Sequence, residues 1–313
     1  MTGSTMEIGQ PFEPAYRRSL RLGLLDEKIA ALALQLESCS LCPRRCGANR
    51  QRGEKGVCRA GRLPDVSSFA PHFGEEEPLV GRHGSGTIFF AHCNLLCLFC
   101  QNYDISHLGH GREVPPERLA EMMLHLERLG CHNINLVTPT HYAPQILKAV
   151  ALAAGQGLSV PLVYNTGGYD AVETLRLLDG VIDIYMPDLK FMDPAPAREY
   201  CQAGDYPQVA RDALLEMHRQ VGDLVLDKRG LALRGLLVRH LVLPEGLAGT
   251  QEAMRFLATK VSRDTYLNIM DQYHPRGSLP PDSPLNRRIT RREYEEAVRA
   301  AEEEGLARLD GRS

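Results

Sequence analysis

An excess of charge of one sign is missing from this chain: 36 Lys and Arg stand against 39 Asp and Glu, a formal net charge of -3 over 313 residues. That balance removes any bulk electrostatic reason to expect binding to nucleic acid or an anionic membrane, leaving only local patches. Long apolar runs are missing too. No stretch approaches the roughly 20 apolar residues that span a bilayer. The segment from Met1 to Ser19 carries Glu7 and Glu13 and lacks the continuous apolar core of a secretory signal. No internal repeat stands out beyond an alternation of strand-like and helix-like segments. The class that remains is a soluble enzyme of ordinary size, long enough for one large α/β barrel and a small attachment.

Cysteine, by contrast, is concentrated. Seven of the nine fall between Cys39 and Cys100, which reads as intracellular metal ligands rather than a secreted disulfide scaffold and places the protein in the cytoplasm. The run Cys93-Asn-Leu-Leu-Cys97-Leu-Phe-Cys100 is the sharpest feature. A fully ligated electron-transfer cluster takes four cysteines, so three thiols at spacings of four and three fit a cubane iron-sulfur cluster with one iron left open. Zinc is the competing reading. It normally wants four protein ligands, or three plus water with histidine common, and usually appears in paired C-x-x-C units. His92, just before the first thiol, keeps zinc open, while the spacing favours the cluster.

Runs rich in β-branched residues predict six strands: Thr87 to His92, Asn133 to Thr138, Val160 to Asn165, Ile182 to Met186, Leu236 to Leu243 and Thr265 to Met270. Between them, Pro116 to Leu129, Ala143 to Ala154, Ala171 to Leu178, Pro207 to Val221 and Thr250 to Val261 carry helical spacing, with Pro116 and Pro207 suited to helix starts. Strands separated by helices imply parallel pairing through right-handed crossovers. The fold class is therefore α/β, an incomplete (β/α)6 barrel, whose ligands gather at the C-terminal strand ends. Polar clusters fall there. The cysteine loop continues as Gln101-Asn102-Tyr103-Asp104, and later strand ends carry Thr138-Pro139-Thr140-His141, Asn165-Thr166-Gly167-Gly168, Pro187-Asp188-Leu189-Lys190, Pro244-Glu245-Gly246 and Asp271-Gln272-Tyr273-His274. Each alone is more often a capped loop or helix start than a ligand site; their convergence is what points to a site. Within the fifth strand, alternation turns only one of Arg239 and His240 inward, and Arg239 is the better candidate.

The three-cysteine run, with Phe99 as its aromatic residue, resembles the signature of the radical S-adenosylmethionine (SAM) superfamily. The resemblance runs from Cys39 to about Pro275 and narrows to the pyruvate formate-lyase activating enzyme-like, or PflX-like, group. It implies a [4Fe-4S] cluster on Cys93, Cys97 and Cys100, with SAM on the open iron. Reductive cleavage of SAM would yield a 5'-deoxyadenosyl radical that abstracts hydrogen. Carried over residue by residue, it gives Asp188, Lys190 and His274 a role in binding SAM, Lys190 as a charged donor to the methionine carboxylate. Asn165 stands where the activases have an aspartate, and Thr138 and Thr140 where most of the superfamily has a glycine-glycine-glutamate motif. The implied partners are a one-electron reductant such as flavodoxin or ferredoxin and a protein substrate. A small-molecule or peptide substrate is the alternative, and a non-catalytic metal or electron-transfer protein a third.

A second motif, Cys39-x-x-Cys42-x-x-x-Cys46, closes with Cys58. Four near thiols call for a metal, either structural zinc or an auxiliary iron-sulfur cluster, and Arg44 and Arg45 would offset thiolate charge. Cys131 and Cys201 read as isolated small residues. The Gly- and Pro-containing stretch Leu63 to Gly86 holds the run Glu75-Glu76-Glu77, ordinarily a solvated face but placed to cover a site or meet a partner. The chain thus divides into 1–80, with the four-cysteine motif; 81–275, the barrel; and 276–313, a Pro-rich linker followed by an exposed amphipathic helix.

Overall fold

The computed structural model describes residues 12–311, so most of the segment lacking a signal-like core lies outside the described residues. Nine strands form the scaffold: β1 (Asp65–His72), β2 (Ser85–Phe90), β3 (Arg112–Glu113), β4 (Ile134–Val137), β5 (Leu162–Thr166), β6 (Ile184–Pro187), β7 (Val225–Leu226), β8 (Ala232–Leu241) and β9 (Tyr266–Met270). Six of them run parallel in chain order, β2-β4-β5-β6-β8-β9. They are the six that the sequence alternation predicts. Strands such as β4, β5 and β6 are buried almost throughout, as a parallel sheet covered on both faces requires. The first strand ends earlier than predicted because His92 adopts a left-handed φ of 70° and leaves the ladder.

Helices Pro116–Arg128, Ala143–Gly155, Val172–Leu177 and Tyr206–Val221 occupy the predicted crossovers. The predicted Thr250 to Val261 helix is α-helical only to Phe256 and finishes in a π turn at Leu257–Val261. One helix, Pro194–Cys201, is hidden in the sequence by two prolines. Pro194 sits in its first turn, where no N–H is needed, and Asp193 Oδ1 accepts from the Ala195 N–H at 2.7 Å as its cap.

Three departures shape the site. The stretch before the first parallel strand is not simply a cover: Asp65–His72 forms β1, antiparallel to β2. The acidic run after it is not a solvated face as a whole, because Glu76 is buried and accepts from Asn268 Nδ2 of β9 at 2.9 Å. Glu75 reaches Arg239 of β8 at 3.8 Å. This segment therefore links the β1 side of the sheet to β8 and β9. Nor is the Pro-rich segment a loose linker. Ser278 N–H donates to the Leu98 carbonyl at 2.8 Å, and at Gly277, with φ of 74°, a Cβ would stand 2.1 Å from that same oxygen. Only glycine lets the backbone pass this close to the cysteine loop.

At the N-terminal side, helices Ala15–Arg21 and Leu24–Leu34 pack on Ala143–Gly155. Tyr16, Leu25 and Leu32 join the main apolar core. The Asp183 carboxylate accepts from Ala15 N–H at 2.8 Å and Leu162 N–H at 2.9 Å, tying the first helix to the start of β5. The C-terminal helix Arg291–Glu303 opens with a Thr290/Glu293 capping box and buries Ala297, Val298, Ala300 and Ala301, so only one face is exposed. Among the described residues no helix is long and apolar enough to cross a membrane.

Candidate cluster and cofactor site

The loop after β2 turns left-handed twice, at His92 (φ 70°) and Leu96 (φ 56°). Turns of this kind aim successive N–H groups at a common point and make a seat for negative charge. Here the target is sulfur. Leu95 N–H donates to Cys93 Sγ at 3.4 Å, and the Ser106 hydroxyl donates to Cys100 Sγ at 3.2 Å. Burial pushes the Cys93 thiol up to about 12 and raises Cys100. Thiolates in such a place need a compensating cation, and bound iron would supply it.

Cys201 is not isolated. The helix Pro194–Cys201 ends with its Sγ 3.3 Å from Cys97 Sγ, fully buried. That contact, ahead of burial, raises the Cys97 thiol.

Cys93, Cys97 and Cys100 line one cavity of about 240 Å3 at the C-terminal strand ends. Thr138, Asn165, Asp188, Lys190 and Arg239 line it as well. The polar residues form a chain across three strand ends. Arg239 donates through Nη2 to Asn165 Oδ1 and through Nε to Asp188 Oδ1, both at 2.7 Å, and Lys190 Nζ donates to Asp188 Oδ2 at 2.5 Å. Burial alone would raise the Asp188 carboxyl, but Arg239 and Lys190 hold it below the usual carboxylate range. Burial likewise opposes charge on Lys190, and Asp188 with Cys97 outweighs it, so the amine stays protonated. An ammonium has three donors; with one on Asp188, Lys190 has others to offer an anionic group in the cavity. Strand alternation turns Arg239 inward, while His240 faces the helices and binds the Leu189 carbonyl and Thr250 hydroxyl at 2.7 and 2.9 Å.

Thr140 and His274 do not line this cavity. Thr140 donates to the buried Asp170 carboxylate at 2.7 Å, which also accepts from Thr166 and Tyr164. The hydroxyl is consumed behind the cavity wall. His274 lines a separate groove with Arg288, Thr290 and Tyr294, its Nδ1 3.0 Å from the Gln272 carbonyl. From that segment Gln272 reaches the cavity, together with Met270 of β9. Phe99 lines the cavity but is held edge-on against Phe191, Tyr200 and Tyr273, with centroids 5.9 to 6.4 Å apart.

A model of the radical SAM superfamily matches residues 87–226, the stretch from β2 through β7 that contains the three-cysteine loop. An uncharacterized protein of Methanocaldococcus jannaschii is 31% identical over 292 residues, covering 90% of this chain and 80% of that protein. The chain belongs to the radical SAM superfamily. With membership comes reductive cleavage of SAM at an iron-sulfur cluster. A radical SAM methyltransferase from Sphaerobacter thermophilus has 13% sequence identity and a TM-score of 0.46, over 70% of this chain and 64% of that one; the chain therefore spans less than two thirds of that structure.

The donor set of this radical SAM protein fits the group. A cubane takes each thiolate on a different iron around a shared space, and Cys93, Cys97 and Cys100 all line one cavity.

The four earlier cysteines are also near one another: Cys42 lies in the field of Cys58 and Cys39, and Cys58 in that of Cys39 and Cys46. The arginines read as offsetting their charge are turned elsewhere. Arg44 donates to the carbonyls of Asn94, Leu95, Cys201 and Gln202, and Arg45 pairs with Glu173 at 3.0 Å on the surface. The cation that acts on Cys58 is Arg50, 1% exposed and bonded to the Gly61 and His141 carbonyls.

Proposed function

We propose that this protein cleaves SAM reductively at a [4Fe-4S] cluster on Cys93, Cys97 and Cys100 and abstracts hydrogen from a protein partner. The observation that carries the partner is the size of the cavity. At about 240 Å3 it is smaller than the roughly 300–1,000 Å3 of pockets that enclose a drug-sized ligand. A space of that size leaves little room beside a cofactor, which favours a slender donor group such as an extended loop of protein. In this reading Lys190 donates to the methionine carboxylate, Asn165 and Thr138 hydrogen bond the rest of SAM, and Asp188 keeps Lys190 charged and in place. The four-cysteine motif holds a second metal, and a one-electron carrier supplies the reducing equivalent.

Reductant-dependent formation of 5'-deoxyadenosine by the anaerobically reconstituted protein, absent from Cys97→Ala, tests the reaction. Host extract separated by size then tests the donor. Stimulation by the macromolecular fraction, with deuterium passing from labelled protein into 5'-deoxyadenosine, is the expected result. Stimulation confined to the low-mass fraction would replace the protein donor by a small molecule. A protein with full iron that never cleaves SAM under any fraction would be an electron-transfer protein instead.

A further inference from the structure

The two cysteine loops use the same device. Around Cys39, Cys42, Cys46 and Cys58 the backbone turns left-handed at Arg45 (φ 39°), Gly47 (φ 70°) and Arg59 (φ 61°), as it does at His92 and Leu96 in the other loop. The Arg44 N–H is directed at Cys42 and the Ala60 N–H at Cys58, as Leu95 N–H is at Cys93. Cys46 is seated against bare backbone: a Cβ on Gly56 would stand 2.2 Å from its sulfur. Cys39, Cys42 and Cys58 are 5 to 7% exposed. These are features of a seat for sulfur-ligated negative charge, and they repeat those of a loop whose cubane is given by family membership.

The two loops also share a wall. Asn94, the neighbour of Cys93, has its side chain within hydrogen-bonding reach of Cys42 and donates to the Tyr169 carbonyl at 2.7 Å. Arg44, between Cys42 and Cys46, donates to Asn94 O at 3.0 Å and Leu95 O at 3.3 Å, and to Cys201 O at 2.8 Å beside Cys97. Outside, the chain presents Arg52, Lys55, Arg59 and Arg62 to solvent against Glu54, with Val57 45% exposed among them and Arg45 paired with Glu173. In a chain of net charge -3 this is a local reversal of sign around an apolar contact. Lys55 and Arg59 also act on His92, which lines the cavity.

We propose that Cys39, Cys42, Cys46 and Cys58 hold a second [4Fe-4S] cluster, and that the basic face over it docks an acidic one-electron carrier protein. One electron leaves the reduced carrier, which is oxidised, and reduces this cluster; the short wall at Asn94 and Arg44 puts the SAM-cleaving cluster next in line. No bond forms or breaks in the transfer. The inference rests on the proposed function only for the electron's destination.

The test separates the two. A Cys93→Ala/Cys97→Ala/Cys100→Ala variant cannot cleave SAM, so its metal content speaks for the N-terminal site alone. After anaerobic reconstitution it should hold about four iron and four sulfide per chain and show a reduced-cluster EPR signal. Zinc in place of iron, or no iron, would overturn the site. Should that variant not fold, Cys58→Ala in the intact chain should bring iron down from about eight to about four per chain, and an unchanged count overturns it. For docking, Arg52→Glu/Lys55→Glu should slow reduction of the cluster by a reduced, acidic flavodoxin about 10-fold at low salt. The wild-type rate should fall toward the variant's as salt is added. Equal rates at low salt would overturn the docking face.

Discussion

Asp188→Ala is the change that most directly probes the cavity wall. The Asp188 side chain is 11% exposed and accepts from Lys190 at 2.5 Å and Arg239 at 2.7 Å, whose side chains are 15% and 18% exposed. Removing it leaves two cations facing one another beside the cluster loop. Breaking a buried pair by deleting one partner costs about 3–5 kcal/mol. Arg239 keeps Asn165 Oδ1 at 2.7 Å and Glu75 at 3.8 Å, so the lower end, about 3 kcal/mol, is expected here. With a urea m-value near 3 kcal/mol/M, the unfolding midpoint should drop by about 1 M at neutral pH. The contribution also has a pH signature. The Asp188 carboxyl is lowered in the folded protein, so its stabilisation is complete above the unfolded value near 4 and is lost as pH falls below that. Adding Arg239→Met should recover about 1–3 kcal/mol, because the remaining cation no longer faces another. A loss below about 1 kcal/mol for Asp188→Ala, or strict additivity in the double variant, would refute the account of a buried charge network.

Three further outcomes follow from particular contacts. Cys201→Ala removes the thiol 3.3 Å from Cys97 Sγ; a hydrogen bond of about 1 kcal/mol that strengthens on reduction is worth about 40 mV in a one-electron couple, so the midpoint of the SAM-cleaving cluster should fall by about that much in an EPR-monitored titration, and an unmoved midpoint refutes the contact. Lys190→Ala should weaken SAM binding about 10- to 100-fold by calorimetry with iron content retained, whereas His274→Ala, lying in its own groove, should bind within about twofold of wild type; the reverse order would restore His274 and remove Lys190. His240 is held neutral, pushed by burial down to about 4 from 6.5, so folding excludes a proton that the unfolded chain binds between those values: its share of stability is full above pH 6.5 and is lost as pH falls toward 4. His240→Gln should flatten that part of the stability–pH curve, and an unchanged slope would show that the imidazole charges freely in the fold.

The barrel was legible because its signals are local. Each of the six parallel strands is a short apolar run bounded by a polar turn, and period and punctuation suffice to find it. The three-cysteine loop was legible for the same reason, its thiols being confined to eight consecutive residues. What escaped depends on contacts distant in sequence. Cys201 reads as a lone thiol because its partner, Cys97, is 104 residues away and the helix that carries it is masked by Pro194 and Pro196. Glu76 reads as solvated because Asn268, which satisfies it, lies 192 residues on. Thr140 and His274 lie away from the cavity for another reason. Position after a strand says that a side chain is near the C-terminal face, but not whether a closer acceptor such as Asp170 has already taken its hydrogen bond, nor that the segment around Ser278 strapped to Leu98 leaves His274 in a groove of its own.

The arginines make the same point about function. Sequence proximity suggested that Arg44 and Arg45 neutralise thiolates, since each lies within three residues of a cysteine. A guanidinium is too long and too rich in donors to be spent on its nearest neighbour. Arg44 reaches past Cys42 to four carbonyls on two other loops, and Arg50, the one that does act on Cys58, is buried with its donors on backbone oxygens. Arg44 therefore ties the four-cysteine loop to the three-cysteine loop, while Arg50 ties it to the Gly61 and His141 carbonyls. A loop that only stapled the chain's first helices would not need to be held in register with Asn94 and Cys201. A second cluster of the kind proposed above would, and the Arg44 guanidinium, bonded to the Asn94, Leu95 and Cys201 carbonyls, is placed to hold it there.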